Sequence, residues 1–157
     1  MRRVSEQAAP SATDAGGMVR TAKRCEPKAM RRKDLFLVVE DFEDSRFMMR
    51  RLLEMAGHKV LEATDGEQAI KLALEQNPSL ILMDLSLPKL DGLAATRKIR
   101  EHKAFRHTPI VAVSAHDGPE SRAEALAAGC DDYITKPIDF DGLTKLIRRF
   151  LPASRRK

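Results

Sequence analysis

Short, wholly apolar segments alternate with helical patterns after residue 34, and this alternation constrains the fold more than any other feature of the chain. Leu35–Val39 and Leu80–Met83 are apolar at every position, as parallel strands buried on both faces usually are. Both segments are far shorter than the roughly 20 residues that a membrane-spanning helix needs. Strands that alternate with helices predict a parallel sheet with helices on both faces.

Turn and capping residues divide this region into five strand–helix units. The predicted strands are 35–39, 59–63, 80–83, 109–113 and 132–134. The predicted helices are 45–56, a segment that opens at Asp65-Gly66 and ends before Pro78, 93–100, 120–128 and 140–150. Five units are too few for an eight-stranded barrel, so the pattern predicts an open, doubly wound α/β sheet with five parallel strands.

Charge is distributed unevenly along the chain and indicates a boundary near residue 33. Residues 1–33 contain nine basic and three acidic residues, a net charge of +6, whereas residues 34–157 contain 19 and 20, a net charge of −1. Because the first segment has few periodic apolar residues, we expect a disordered basic tail over 1–33. The folded domain is expected over 34–151, and 152–157 is expected to be a short basic tail.

Neither export nor a cysteine-based site is predicted. The residues that follow Arg2 and Arg3 lack the apolar stretch of a signal peptide, so a cytoplasmic location is expected, with no membrane contact. Cys25 and Cys130 stand far apart without a C-x-x-C motif, which is typical of two reduced thiols.

Polar residues stand at the carboxyl ends of four predicted strands, where doubly wound sheets bind ligands. Glu40 and Asp41 follow the first strand, Asp84 the third, Ser114 the fourth and Lys136 the fifth. Three converging carboxylates repel one another and favour a bound cation. Oxygen ligands select a hard cation, so we expect Mg²⁺.

The remaining two residues at this edge suit phosphoryl chemistry. The ammonium group of Lys136 is suited to a phosphoryl oxygen, and Ser114 adds a hydroxyl donor. A carboxylate nucleophile, a metal ion, an ammonium group and a hydroxyl group are the parts required for phosphoryl transfer onto an aspartate.

Four ordered blocks of residues carry a family resemblance. They are Leu37–Asp41, Leu80–Gly92, Pro109–Ala115 and Ala128–Pro137. In these blocks the chain resembles the receiver domain of bacterial two-component response regulators, of the single-domain, CheY-like type. The resemblance covers residues 34–151, and it implies a flavodoxin-like sheet with strand order 2-1-3-4-5.

The resemblance also implies roles for the residues at the strand ends. Asp84 would be the phosphoacceptor, and Lys136 would contact the phosphoryl group. Asp41, Asp84 and the backbone carbonyl of Ser86 would ligate Mg²⁺, and Glu40 would support the metal. Glu40 stands where aspartate is commoner in the family, which moves this carboxylate outward by one methylene group.

Two further residues would transmit the signal. By the same resemblance, Ser114 is the switch hydroxyl that follows the phosphoryl group, and Tyr133 is the aromatic switch that rotates into the space it vacates. The peptide bond between Lys136 and Pro137 is expected to be cis.

These features predict a stand-alone response regulator receiver in a phosphorelay. It would accept a phosphoryl group from a histidine kinase or a histidine phosphotransfer protein and then bind a protein target, as a monomer or a weak phosphorylation-dependent dimer. It would not be an enzyme beyond slow self-dephosphorylation. One alternative is a nucleic-acid-associated regulator that uses the basic N-terminal tail. Another is an aspartyl-phosphate phosphatase, although the D-x-D motif of that class is incomplete in Asp84-Leu-Ser86.

Overall fold

The computed structural model describes residues 35–151, so the predicted tails over 1–33 and 152–157 lie outside the described residues. Five strands alternate with five α-helices. The strands are β1 (Leu35–Val39), β2 (Lys59–Ala63), β3 (Leu80–Asp84), β4 (Ile110–Ser114) and β5 (Asp132–Thr135). The helices are α1 (Glu43–Met55), α2 (Gly66–Gln76), α3 (Gly92–Arg100), α4 (Pro119–Ala128) and α5 (Phe140–Phe150). A 3-10 turn over Lys103–Phe105 joins α3 to β4.

All neighbouring strands are parallel, and their order is β2-β1-β3-β4-β5. The predicted fold class and strand order are therefore confirmed. The register pairs Val39 of β1 with Met83 of β3, and Ser114 of β4 with Thr135 of β5. This register brings the carboxyl ends of the strands to one edge of the sheet.

Alternate residues of the central strands build two apolar layers, one on each face of the sheet. One layer joins the strands to α1 and α5 through Phe36, Val38, Leu80, Leu82, Val111, Val113, Met49, Leu53, Leu143, Leu146 and Ile147. The other joins them to α2, α3 and α4 through Leu37, Val39, Ile81, Met83, Ile110, Ala112, Ala69, Ala73, Ala95, Ile99 and Ala125. Burial of both faces explains why β1, β3 and β4 are apolar along nearly their whole length.

Aspartates fix the starts of three helices. The side chains of Asp65, Asp91 and Asp139 accept hydrogen bonds from the backbone N–H groups of Gln68, Ala94 and Gly142, at 2.8, 2.8 and 2.6 Å. The helix over 120–128 ends as predicted, because Gly129 adopts a φ of 116° that glycine accommodates without strain.

Several boundaries differ from the sequence prediction by one or two residues. β3 extends to Asp84 and β4 to Ser114, so both site residues end a strand rather than follow it. Two adjacent methionines of α1 differ in burial, because Met49 is 3% exposed and Met48 is 58% exposed. The buried stripe of α1 passes through Met49 and Leu53, four residues apart, and Met48 lies beside it. Within residues 35–151, no helix is long and apolar enough to cross a bilayer.

Candidate functional site

Two neighbouring strands bring three carboxylates together. Glu40 follows β1, Asp84 ends β3, and Asp41 is next to Glu40 in the chain. One oxygen atom from each residue lies within 4.8 Å of the other two. Glu40 and Asp84 are 0% and 3% exposed, whereas Asp41 is exposed. The result is an acidic cleft that is deep at Glu40 and open to solvent at Asp41.

Lys136 reaches this cluster from the far side of the cleft, just beyond β5. Its Nζ atom donates hydrogen bonds to Glu40 Oε2 at 2.6 Å and to Asp84 Oδ2 at 3.4 Å. Its backbone N–H donates to the carbonyl of Ser114 at 2.8 Å, and the peptide bond between Lys136 and Pro137 is cis. The ammonium group therefore lies between two carboxylates.

Burial and close charges shift the protonation of this pair. Burial raises the pKa of Glu40, as does its hydrogen bond to Asp84, and the opposing contact with Lys136 does not reverse that direction. Burial alone lowers the pKa of Lys136, but the hydrogen bond to Glu40 and the charges of the two carboxylates raise it above its ordinary value. Lys136 therefore stays charged at neutral pH.

The backbone around Asp84 is closely packed. Asp84 Oδ1 accepts a hydrogen bond from the backbone N–H of Ser86 at 3.1 Å. A Cβ atom placed on Gly92, the first residue of α3, would overlap the backbone carbonyl oxygen of Asp84. The start of α3 therefore rests directly on the backbone that carries the central carboxylate.

Ser114 and Tyr133 converge on the backbone of His116 in the loop before α4. Ser114 Oγ accepts from the His116 N–H at 3.0 Å, and the Tyr133 hydroxyl donates to the His116 carbonyl. The Arg122 guanidinium of α4 lies 5.2 Å from the centroid of the Tyr133 ring. Tyr133 is only 4% exposed, so the ring that was expected to rotate inward is already buried.

The sequence did not single out Arg46, which contacts the acidic segment from α1. Its Nη1 atom donates to the carbonyl oxygen of Glu40 at 3.0 Å, and its Nε atom donates to Glu62 Oε1 at 3.0 Å. The contact between Arg46 and Glu62 depends on the pairing of β2 with β1, which the linear sequence does not reveal. A basic residue in the first turn of a helix, where the macrodipole disfavours positive charge, was the available signal.

The donor set at this cleft fits a hard divalent cation. Its side-chain donors are carboxylate oxygens, and hard cations such as Mg²⁺ prefer oxygen ligands. Burial and the hydrogen bond to Asp84 raise the pKa of Glu40 despite the contact with Lys136. A site of this kind gains from additional positive charge.

Comparison with known families and proteins agrees with this geometry. Residues 36–148 match the model of the response regulator receiver domain. The chain is 34% identical over 115 residues to the polar-differentiation response regulator DivK of Brucella abortus, an alignment that covers 73% of this chain and 94% of DivK.

Solved structures show the same architecture. The Vibrio cholerae chemotaxis protein CheY4 superposes with a TM-score of 0.72 and 28% identity, covering 74% of this chain and 98% of CheY4. The receiver domain of the sensor histidine kinase PA1611 from Pseudomonas aeruginosa has a TM-score of 0.71 and 36% identity, covering 74% and 96%. That structure holds a magnesium ion in its active site cleft. This chain therefore belongs to the response regulator receiver family, whose members are phosphorylatable signalling domains of two-component systems rather than enzymes in the usual sense.

Proposed function

We propose that this chain accepts a phosphoryl group on Asp84, in an Mg²⁺-dependent step, from a histidine kinase or a histidine phosphotransfer protein. The observation that carries the proposal is the position of Asp84 Oδ2, 3.4 Å from Lys136 Nζ and beside two further carboxylates. A buried carboxylate beside an ammonium group and an acidic cluster is suited to accept a phosphoryl group and to bind the metal ion that the transfer requires.

Asp84 is the nucleophile in this reaction. One of its carboxylate oxygens attacks phosphorus while the bond from phosphorus to the donor nitrogen breaks. The Ser86 N–H donates a hydrogen bond to Asp84 Oδ1 and restrains it. The first residue of α3 packs closely against the backbone of Asp84, which limits movement of the carboxylate. A fixed nucleophile reduces the entropy that the reaction must lose.

Positive charge must balance the charge of the transferred group. Glu40, Asp41, Asp84 and the backbone carbonyl of Ser86 would hold the magnesium ion, which supplies positive charge close to the phosphoryl oxygens when it is bound. Lys136 supplies a second positive charge, and its raised pKa keeps it protonated at neutral pH. Lys136 would bind a phosphoryl oxygen through the ammonium group that now contacts Glu40 and Asp84.

Ser114 links the phosphoryl group to a distant surface. Ser114 is the last residue of β4, which pairs with the strand that ends in Asp84. Its hydroxyl would donate a hydrogen bond to a phosphoryl oxygen. Movement of Oγ toward the phosphoryl group would lengthen the hydrogen bond that it accepts from the His116 N–H, and the carbonyl of the same residue accepts from Tyr133. The surface formed by α4, β5 and α5 would therefore respond, and a protein target would bind it in a cytoplasmic phosphorelay.

Labelling of the full chain tests this proposal. With ³²P-labelled acetyl phosphate and MgCl₂, wild-type protein should acquire one acid-labile label and Asp84→Asn none, because an amide is isosteric but a poor nucleophile. Asp91→Asn is the matched control, since asparagine also caps a helix and should leave labelling intact. Full labelling of Asp84→Asn would contradict the assignment. Steady turnover of small phosphate esters would favour the phosphatase alternative.

A further inference from the structure

The first turn of α1 carries a mostly buried arginine that reaches back to the acidic segment. Arg46 Nη1 lies 3.0 Å from the carbonyl oxygen of Glu40 and 3.5 Å from that of Asp41. Its Nε atom donates to Glu62 Oε1 on β2, and only 16% of its side chain is exposed. One guanidinium group thus joins the neighbouring strand to the backbone of two of the three clustered carboxylate residues.

The turn between β1 and α1 has few other restraints. The Glu40 N–H donates to the carbonyl of Ala63 at 3.0 Å, which extends the strand pairing to the first carboxylate residue. Beyond that point, Phe42 is the N-cap residue of α1 and its side chain makes no capping hydrogen bond. The Phe42 N–H instead donates to Glu40 Oε1 at 3.1 Å. Asp41 lies between these positions, where Arg46 contacts its carbonyl.

We propose that Arg46, anchored by Glu62, is a positioning residue that holds the turn at Glu40 and Asp41 in the arrangement that binds Mg²⁺. This inference rests on the proposed function, because it assigns Arg46 to the same metal site. The arginine contacts backbone carbonyl oxygens, whereas side-chain oxygens of Glu40 and Asp41 lie within 4.8 Å of one of Asp84. Groups that orient metal ligands in this way commonly change metal affinity by about 10- to 100-fold when they are removed.

The charge of Arg46 and its bracing contacts have opposite effects on metal binding. As a positive charge beside an acidic cluster, a guanidinium opposes the binding of a cation, so its removal would tighten binding. As a brace for the turn, it pre-orders the ligands, so its removal would weaken binding. The sign of the change in Mg²⁺ affinity therefore distinguishes positioning from simple electrostatics.

Calorimetric titration of the full chain with MgCl₂ measures this sign. Arg46→Gln should weaken Mg²⁺ binding about 10-fold, while its urea unfolding in EDTA shows that the domain remains folded. Arg50→Gln is the matched control. Arg50 Nε lies 3.0 Å from Glu62 Oε2, but Arg50 stands one helical turn farther from the acidic segment and should bind Mg²⁺ like the wild type.

Acetyl phosphate labelling at varied MgCl₂ gives a second readout. In Arg46→Gln the Mg²⁺ concentration at half-maximal rate should rise about 10-fold, with the saturated rate within about twofold of wild type. In Glu62→Gln the Mg²⁺ concentration at half-maximal rate should also rise. The double variant should show little further increase, because both residues act as one unit.

Three outcomes would overturn the inference. Unchanged or tighter Mg²⁺ binding by Arg46→Gln, with wild-type protein that binds Mg²⁺ and is labelled, would remove the role of Arg46 and leave the proposed function intact. An equal loss in Arg50→Gln would attribute the effect to the ion pairs between α1 and Glu62 rather than to the contact of Arg46 with the turn. Wild-type protein that neither binds Mg²⁺ nor accepts label would overturn both this inference and the proposed function.

Discussion

Lys136 Nζ lies closer to Glu40 Oε2, at 2.6 Å, than to the central carboxylate of Asp84, at 3.4 Å. The lysine that is expected to contact a phosphoryl group therefore also neutralises a carboxylate expected to support the metal. A divalent cation held by this cluster would bind oxygens that Lys136 also contacts, so each would reduce the electrostatic gain available to the other.

Replacement of Lys136 by methionine should change metal affinity and stability in opposite directions. We expect Lys136→Met to bind Mg²⁺ about tenfold more tightly, because a competing positive charge is removed. In EDTA the same variant should unfold at lower urea concentration than wild type, because Glu40 is left buried without its cation. Calorimetry and urea unfolding measure the two effects. Lys145→Met, on the exposed side of α5, controls for the loss of one charge, and weaker Mg²⁺ binding by Lys136→Met would refute the competition.

The buried carboxyl of Glu40 should make the metal-free protein sensitive to pH. Burial raises the pKa of Glu40 above its ordinary value of 4.5, so the folded state holds this proton more tightly than the unfolded state does. Ionisation of the buried Glu40 carboxyl therefore lowers the free energy of unfolding. This loss of stability is absent below pH 4.5, grows as pH rises, and is complete above the folded-state pKa. Glu40→Gln should therefore be more stable than wild type at neutral pH in EDTA, with a difference that disappears toward low pH.

Urea unfolding at a series of pH values tests this expectation. Glu75→Gln, on the exposed face of α2, controls for the loss of one carboxylate from the chain. A stability difference between wild type and Glu40→Gln that stays constant from acid to neutral pH would show that the proton on Glu40 is not responsible.

The single tyrosine offers a specific signal for the switch. The chain contains one tyrosine and no tryptophan, so its intrinsic fluorescence reports Tyr133 alone. Phosphorylation of wild-type protein by acetyl phosphate should change this emission, because Ser114 and Tyr133 both contact the His116 backbone. Ser114→Ala should still accept label, more slowly, but lose most of the fluorescence change. Ser114→Thr, which keeps the hydroxyl, should retain it; an undiminished change in Ser114→Ala would mean that the signal reaches Tyr133 by another route.

A methyl group at Gly92 should disturb Asp84, the proposed phosphoacceptor, through its backbone. Because an added Cβ atom overlaps the carbonyl oxygen of Asp84, Gly92→Ala must shift either α3 or the end of β3, at a cost of about 1–3 kcal/mol. We expect lower stability in urea, weaker Mg²⁺ binding and slower labelling. At Gly118 an added Cβ meets no atom within 4 Å, so Gly118→Ala should keep wild-type Mg²⁺ binding. Wild-type labelling and affinity in Gly92→Ala would show that this packing does not position Asp84.

The fold could be predicted because its signals are local. A strand buried on both faces, such as Leu80–Met83, must be apolar throughout, and an aspartate such as Asp65 caps a helix from three residues away. Residues at the carboxyl ends of parallel strands lie at the same edge of the sheet, so their proximity can be predicted once the strands are known to be parallel. For that reason the clustering of Glu40, Asp41 and Asp84 followed from their positions in the sequence.

Contacts that depend on register and on side-chain conformation could not be predicted. The bond from Arg46 to Glu62 exists because β2 pairs with β1 in a register that places Glu62 opposite Val38, beside α1. The Tyr133 hydroxyl donates to the His116 carbonyl, a bond that joins β5 to the loop before α4 across 17 residues of sequence. Neither relationship leaves a periodic pattern in the chain.

The pairing of Val39 with Met83 has a consequence for how this architecture diversifies. Glu40 and Asp84 come next along two hydrogen-bonded strands, so their backbone separation is set by the spacing of a β-ladder, about 4.8 Å, rather than by any helix. Substitutions on the outer surfaces of α1, α4 and α5 would therefore leave this backbone separation unchanged. If the proposed function is correct, the acidic edge can stay the same while the surfaces around it change to bind different partners.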